Sequence, residues 1–210
     1  MKKLAKNDFI ELEYTGKIKG TGEVFDTNVE EEIKKLNLNI KNKILIICLG
    51  QNMILNSIDD FLIGKEPGNY TLTLEAKKAF GERRRDLIKT MPLSVFKNQN
   101  VNPEKGMVFS FDNLIGKITA VSGGRIIVDF NNPLAGKEVV YELKVKRILD
   151  NNEEKVKALM SAFFGKELSF KIEDSVLVIE SDEKSKNFLE LFSGKFRLIL
   201  ILKPECLHNR

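Results

Sequence analysis

A chain of 210 residues, 42% hydrophobic and 30% charged, is globular rather than disordered and suits one large domain or two to three small ones. Its 34 Lys and Arg nearly balance 30 Asp and Glu with the signs mixed, which speaks against a nucleic-acid stripe, and the one compact run, Arg83 to Arg85, reads as exposed charge. No apolar run approaches the ~18 residues of a membrane span, the first residues do not read as a secretory signal, and the lone His208 excludes Ser-His-Asp and Cys-His sites.

Two distant cysteines, Cys48 and Cys206, form no disulfide framework and point to a reducing, cytoplasmic setting. Cys48 in "ILIICLG" reads as a small buried hydrophobe. No metal, nucleotide or other cofactor motif is found, and no membrane partner is expected.

In chain order, "DFIELEYTGKIK" alternates, with Ile10, Leu12 and Tyr14 on one face and Glu11 and Glu13 on the other, so it predicts a half-buried strand. "GTGE" is a hairpin signal and "VFD" a short returning strand. "EEEIKKLN" predicts a short helix and "NKILIICLG" a buried strand closed by Gly50. "SIDDFLIG" places Ile58, Phe61 and Leu62 at helical spacing, with Ser57 as cap and Gly64 as stop. "YTLTLEA" alternates again. This order describes an antiparallel sheet with a packed helix, an α+β unit.

Past "GERRRD" the texture changes. "MPLSVF" predicts a proline-initiated helical turn, and "MVFSFD", "LIGKITAV" and "RIIVDF", with Gly123-Gly124 between the last two, predict a small all-β segment. "KEVVYELKVKRIL" is one long strand able to complete the first sheet, which makes 86–132 an insertion. From "DNN" onward the expectation is a third domain of α-β-β-α-β order: a helix with Val156, Leu159, Met160 and Phe163 inward and Gly165 at its end, two strands, a helix carrying Phe188, Leu191 and Phe192, and a last strand stopped by Pro204. Such a small core is marginal alone, so this segment is expected to form a homodimer.

Within "GEVFDTN", Asp26 reads from residue type alone as a turn acceptor or as a carboxylate at the lip of an apolar pocket. The motif order resolves more. "YTG", "VFD", "LGQNMILNSIDDFLIG", "AFGE" and "FNNPLAGK", in this order over residues 6–149, resemble the FKBP-type peptidyl-prolyl isomerases, and more narrowly the SlyD-like branch with an insert-in-flap chaperone domain. The tail resembles the extra domain of long archaeal members. The resemblance implies an isomerase domain at 1–85 plus 133–150, an insert at 86–132 and a C-terminal domain at 151–210.

It also implies a pocket of Tyr14, Phe25, Asp26, Phe80 and Tyr141, with Leu45, Ile47, Ile54, Leu55 and Ile58 binding the substrate and Ile58 as floor. The sequence departs from the family's pattern at several of these places. Phe80 stands where a tyrosine hydroxyl is usual, and Leu55-Asn56-Ser57 where Ile-Pro-Gly is usual. Tyr141 replaces a phenylalanine and Asn132 a histidine. On residue type alone, every apolar member also reads as sheet core. In the insert, Met91, Phe96, Val108 and Phe109 are either its core or an exposed patch that holds unfolded chains.

The implied function is isomerisation of X–Pro bonds in unfolded or proline-containing polypeptides, without covalent catalysis, coupled to chaperone activity. Two rivals remain open at this point: a holdase with a weakened pocket, and an RNA-associated module.

Overall fold

The computed structural model describes residues 2–38, 44–98, 101–111, 114–165, 169–173, 176–180 and 203–207. In chain order the elements are β1 (Phe9–Ile18), β2 (Val24–Thr27), α1 (Glu30–Lys35), β3 (Leu45–Cys48), α2 (Asn56–Leu62), β4 (Gly68–Leu74), β5 (Ile88–Pro92), α3 (Leu93–Lys97), β6 (Val108–Phe111), β7 (Leu114–Ser122), β8 (Arg125–Asp129), β9 (Val139–Leu149), α4 (Asn152–Phe164), β10 (Phe170–Glu173), β11 (Val176–Glu180) and β12 (Lys203–Leu207). They fall into two compact units, Met1–Thr73 with Val140–Arg210, and Leu74–Val139.

The first unit is built on a sheet of order β2-β1-β9-β4, with β3 also on β1. β3 pairs with Phe9 to Leu12 and β2 with Thr15 to Lys17, both antiparallel. The alternation of β1 and β9 therefore yields two unlike faces. Ile10, Leu12, Tyr141, Leu143 and Val145 are buried on one. On the other, Lys17 pairs with Glu142 at 2.6 Å, Arg147 with Glu11 at 2.8 Å, and Lys146 with Glu13. The paired lysines lower the carboxyl pKa of Glu13, the hydrogen bond from Lys146 contributing most.

α2 buries Ile58, Asp59 and Leu62. Its N-cap is Leu55 with no side-chain cap bond, so Ser57 lies inside the first turn and not at the predicted cap. The helix start is instead held by the Ile58 amide donating to the Leu55 carbonyl at 2.8 Å. At its other end, the Leu4 amide donates to the Lys65 carbonyl and the Gly64 amide to the Leu4 carbonyl, each at 2.7 Å.

Beyond β9, Asn151 caps α4 by accepting from the amides of Glu153 and Glu154, and Gly165 ends it in the left-handed region. β10 and β11 are antiparallel, and β12 joins β11 in parallel, with Pro204 opposite Leu177. Pro204 therefore does not stop the strand as expected. Among the described residues β12 has a neighbour on one side only, where a missing N–H is tolerated. The helix predicted around Phe188 to Phe192, and most of the run before Lys203, lie outside the described residues.

The C-terminal segment has no core of its own among the described residues. Val156, Leu159, Met160, Leu177 and Ile179 share one cluster with Phe9, Cys48 and Leu149 of the first sheet. These described elements are therefore buried against the first sheet.

The second unit carries an antiparallel sheet of order β5-β8-β7-β6 and the helix α3. Gly123 and Gly124, both at positive φ (53° and 75°), make the tight turn that joins β7 to β8. The helical turn predicted at "MPLSVF" is α3, which makes the all-β label for the insert too narrow; its Phe96 is 1% exposed at the centre of a core with Ile118, Ile126 and Val128. Met91 and Phe109 pack against that core, with Phe109 edge-on to Phe96 at 5.8 Å.

Of the four residues proposed for a client-holding patch, then, Phe96, Met91 and Phe109 belong to the core and only Val108 is exposed, at 60%. Register puts Val108 beside Lys117 on the outer face, together with Ile115 at 70% and Ile127. The pattern of apolar residues on β6 to β8 does not distinguish these faces, because both carry hydrophobes. Two of the three arginines in the 83–85 run engage carboxylates of their own unit, Arg83 with Asp129 at 2.5 Å and Arg84 with Asp86.

Since Leu159 is fully buried between α4 and the sheet, Leu159→Ala is expected to cost about 2–5 kcal/mol, seen as a lower urea midpoint that also lowers protection of β1 amides from hydrogen exchange. Loss of protection confined to residues after 150 would show that the segment folds separately.

Candidate active site

Four of the predicted site residues meet on the first unit. β2 pairs with β1 so that Asp26 lies opposite Gly16 and Thr27 opposite Thr15. Tyr14 stands two residues before Gly16 on the same face, by strand alternation. Its hydroxyl donates to the Asp26 carboxylate at 2.9 Å. Asp26 is thus a strand residue holding a phenol, and the turn reading is set aside. The Tyr141 ring lies 6.3 Å from Tyr14 and receives Phe25 edge-on at 5.8 Å and 90°. The three rings form an aromatic wall with one carboxylate at its edge.

Electrostatics keep both phenols neutral. Burial, then the charge of Asp26, pushes Tyr141 from the ordinary 10.0 up to about 12. Burial and the hydrogen bond to Asp26 also raise Tyr14. The Asp26 carboxylate accepts this hydrogen bond through one oxygen, Oδ2.

The remaining predicted residues are placed around this set in different ways. Leu45 and Ile47 lie on β3 opposite Leu12 and Ile10, with Ile47 buried and Leu45 half-buried. Ile54 and Leu55 are half-buried just before α2, and Ile58 is buried in its first turn. Phe80 belongs to the second unit, half-buried after a short 3-10 turn at Ala76–Lys78.

Sequence reasoning missed three residues. Asn28 follows β2, where β1 passes from one edge partner to the other. Its side-chain oxygen accepts from the Tyr14 amide at 2.7 Å, and its side-chain nitrogen donates to the Leu12 carbonyl at 2.9 Å. The Asn after "VFDT" was the available signal. Gly16 sits under Phe25, and a glycine inside an alternating strand was the signal there. Asp59, next to Ile58, is 2% exposed, and neither carboxylate oxygen has a hydrogen-bond partner among the described residues. Burial raises its pKa, opposed only by the nearby amides of Gly50 and Asn52. No sequence pattern distinguishes it from its exposed neighbour Asp60.

A cavity of about 440 Å³ opens on the charged face of the same sheet, lined by Glu13, Glu32, Glu142 and Lys144 among others. Its carboxylates are already ion-paired, Glu32 with Lys35 and Glu142 with Lys17. It lies on the opposite face from Tyr14 and Tyr141 and adds nothing to their chemistry.

Two outcomes follow from this geometry. Asn28→Ala strips partners from two main-chain groups and should cost about 1–3 kcal/mol in urea unfolding, with Asn28→Asp, which keeps the acceptor, recovering part of the loss. Because the folded-state phenol values lie above the unfolded value of 10.0, the stability they contribute is complete below pH 10 and falls as pH rises towards 12. Thermal melting between pH 8 and 12 should show that fall, and Tyr141→Phe should reduce its steepness.

The chain is similar to several known proteins. A family model described as "FKBP26, IF domain" matches residues 89–134. The chain is 27% identical over 149 residues to the short-type peptidyl-prolyl cis-trans isomerase of Methanocaldococcus jannaschii, covering 69% of this chain and 94% of the relative. It is 29% identical over 163 residues to the FKBP-type peptidyl-prolyl cis-trans isomerase SlyD of Treponema pallidum, covering 75% and 85%. Identity is 32% over 106 residues with the FKBP-type 16 kDa peptidyl-prolyl cis-trans isomerase of Escherichia coli, covering 48% and 70%. With its strand order, its Tyr14–Asp26 pair and these relatives together, the chain belongs to the FKBP-type peptidyl-prolyl cis-trans isomerase family.

Proposed function

We propose that the chain isomerises X–Pro bonds at the wall formed by Tyr14, Phe25, Asp26 and Tyr141, and that its insert binds unfolded polypeptide clients. The observation that carries the first part is the Tyr14–Asp26 hydrogen bond beside the Phe25–Tyr141 edge contact. Rotation about a peptide bond must break amide resonance, a barrier of about 18–20 kcal/mol. No covalent bond is made, so no nucleophile is required. The twisted amide is less dipolar than the planar one, and an apolar, water-poor wall favours it relative to the ground state. Asp26, fixed by the Tyr14 hydroxyl, presents an oriented charge to the groups flanking the proline. Ile54, Leu55 and Ile58, with Leu45 and Ile47, supply further apolar surface for the substrate.

We assign the isomerase domain to 1–85 with 133–150 and the client-binding insert to 86–132. The exposed Val108, Ile115 and Ile127 on one face of the insert sheet support the holding role. Covalent linkage of that face to the isomerase unit raises the local concentration of X–Pro bonds. A second reading, a holdase without useful catalysis, is favoured by Phe80, which lacks the hydroxyl usual at its position.

Protease-free kinetics on an X–Pro peptide, and refolding of a proline-limited protein, test both parts. Phe25→Ala and Asp26→Ala should each lower peptide kcat/KM by about tenfold or more, equivalent to ~1.4 kcal/mol of transition-state stabilisation. Absence of any acceleration by the unaltered protein, with aggregation still suppressed, would favour the holdase. Replacing 86–132 by a short linker should slow protein refolding far more than peptide isomerisation. Equal losses in both assays would contradict the division of labour.

A further inference from the structure

Gly16 is buried in the middle of β1 and not at positive φ, and the register with β2 shifts between it and Lys17. Glycine inside a strand costs about 0.5–1 kcal/mol relative to alanine and marks either such an irregularity or a close approach by another group; here a group does approach. That group is the aromatic wall. A Cβ built on Gly16 would stand 2.6 Å from Phe25 Cζ, 2.9 Å from Phe25 Cε2 and 3.0 Å from Tyr141 Cε1. The atoms in the way are ring atoms and not main chain, and no left-handed conformation forbids a side chain. Alanine would therefore be accepted by the strand, and the ring of Phe25 would move.

We propose that Gly16 is a positioning residue for the isomerase reaction. By presenting no side chain it lets Phe25 lie down on β1 and edge-on to Tyr141, and this sets the width of the wall that receives the proline ring. The proposal rests on the assignment of the site to Tyr14, Phe25, Asp26 and Tyr141. Relief of a 2.6 Å contact to ordinary van der Waals separation displaces the ring by about 1 Å, a misplacement able to cost on the order of a hundredfold in rate. The side chain of Asp26 is next to the displaced ring in sequence, so the charge and the wall would lose their common geometry.

The test is a double-mutant cycle on the full chain, read by X–Pro peptide kinetics and by melting temperature. Gly16→Ala should lower kcat/KM by about tenfold or more with little change in melting temperature. In a Phe25→Leu background, where a shorter side chain leaves room, the same change should cost less than about twofold. Equal losses in the two backgrounds, or no loss in either, would overturn the proposal. Gly116→Ala is the matched control: its Cβ would meet Val128 Cγ1 at 2.5 Å in the other unit, and peptide kinetics should not change. A comparable loss there would reduce Gly16 to general packing and overturn the proposal too. If Gly16→Ala fails to fold, Phe25→Leu in the same chain must restore cooperative unfolding; failure to do so counts against it. Should Phe25→Leu and Asp26→Ala leave catalysis unaltered, the site assignment itself fails. Should they impair it while Gly16→Ala does not, only the positioning role is lost.

Discussion

The first unit depends on how β1 keeps its main chain satisfied while it changes neighbours. Along one edge, its first half pairs with β3 and its second half with β2. Between Leu12 and Thr15 neither strand is available, and an unpaired buried backbone group is costly. Asn28 fills the gap by accepting from the Tyr14 amide and donating to the Leu12 carbonyl, while its own amide donates to the Tyr14 carbonyl at 3.2 Å. Thr27 adds a hydroxyl bond to the same carbonyl at 3.0 Å and is itself met by Thr15 at 2.9 Å. Tyr14 is therefore held by its backbone from two sides before its phenol reaches Asp26. The pair at the site is rigid because the strand handover is rigid.

The same strand separates three environments by alternation and by length. Even-numbered residues face the apolar side that carries the aromatic wall. Glu11, Glu13 and Lys17 face the opposite side, where cationic residues of β9 meet the two glutamates and Glu142 meets Lys17. Exposed pairs of this kind add little stability individually, but they keep the face solvated. Phe9, also odd-numbered, breaks the polar series because α4 and β11 cover that end of the sheet. The Cys48 thiol is buried in the same cluster, and burial, with the nearby Asp59 charge, pushes it up to about 12. A thiol so placed is packing material and not a nucleophile.

Much of this was legible in the sequence, for identifiable reasons. Strands with one apolar face, such as β1 and β4, declare themselves by alternation, and the Gly-Gly turn and the Gly165 helix end declare themselves by backbone chemistry. The proposed site residues on β1, β2 and β9 were singled out only through the order of motifs, since each alone also reads as core. What stayed hidden depends on contacts between segments distant in sequence. Phe96 read equally as core or as exposed patch and is the centre of the insert's core, with α3 packed on the sheet. Asn28 and Gly16 act on groups whose position follows only from strand register. Val156 and Leu159 showed a helical stripe correctly, but the stripe does not say which sheet it covers.

The departures of this chain from its family's pattern also look different once backbone geometry is considered. The usual proline of the loop before α2 is replaced by Asn56. Asn56 is the first residue of the helix, and Leu55 before it sits at φ −58° and ψ 127°. The first helical position is where proline is best tolerated, and an extended residue must precede it. The chain thus keeps a conformation that a proline would select, without having the proline. The loop gives up some preorganisation, because asparagine leaves more freedom in the unfolded and partly opened states. It does not give up the direction in which the chain enters α2. Substitution here changes how often the apolar surface is formed more than what that surface is, and the fixed part of the site remains the wall built on β1.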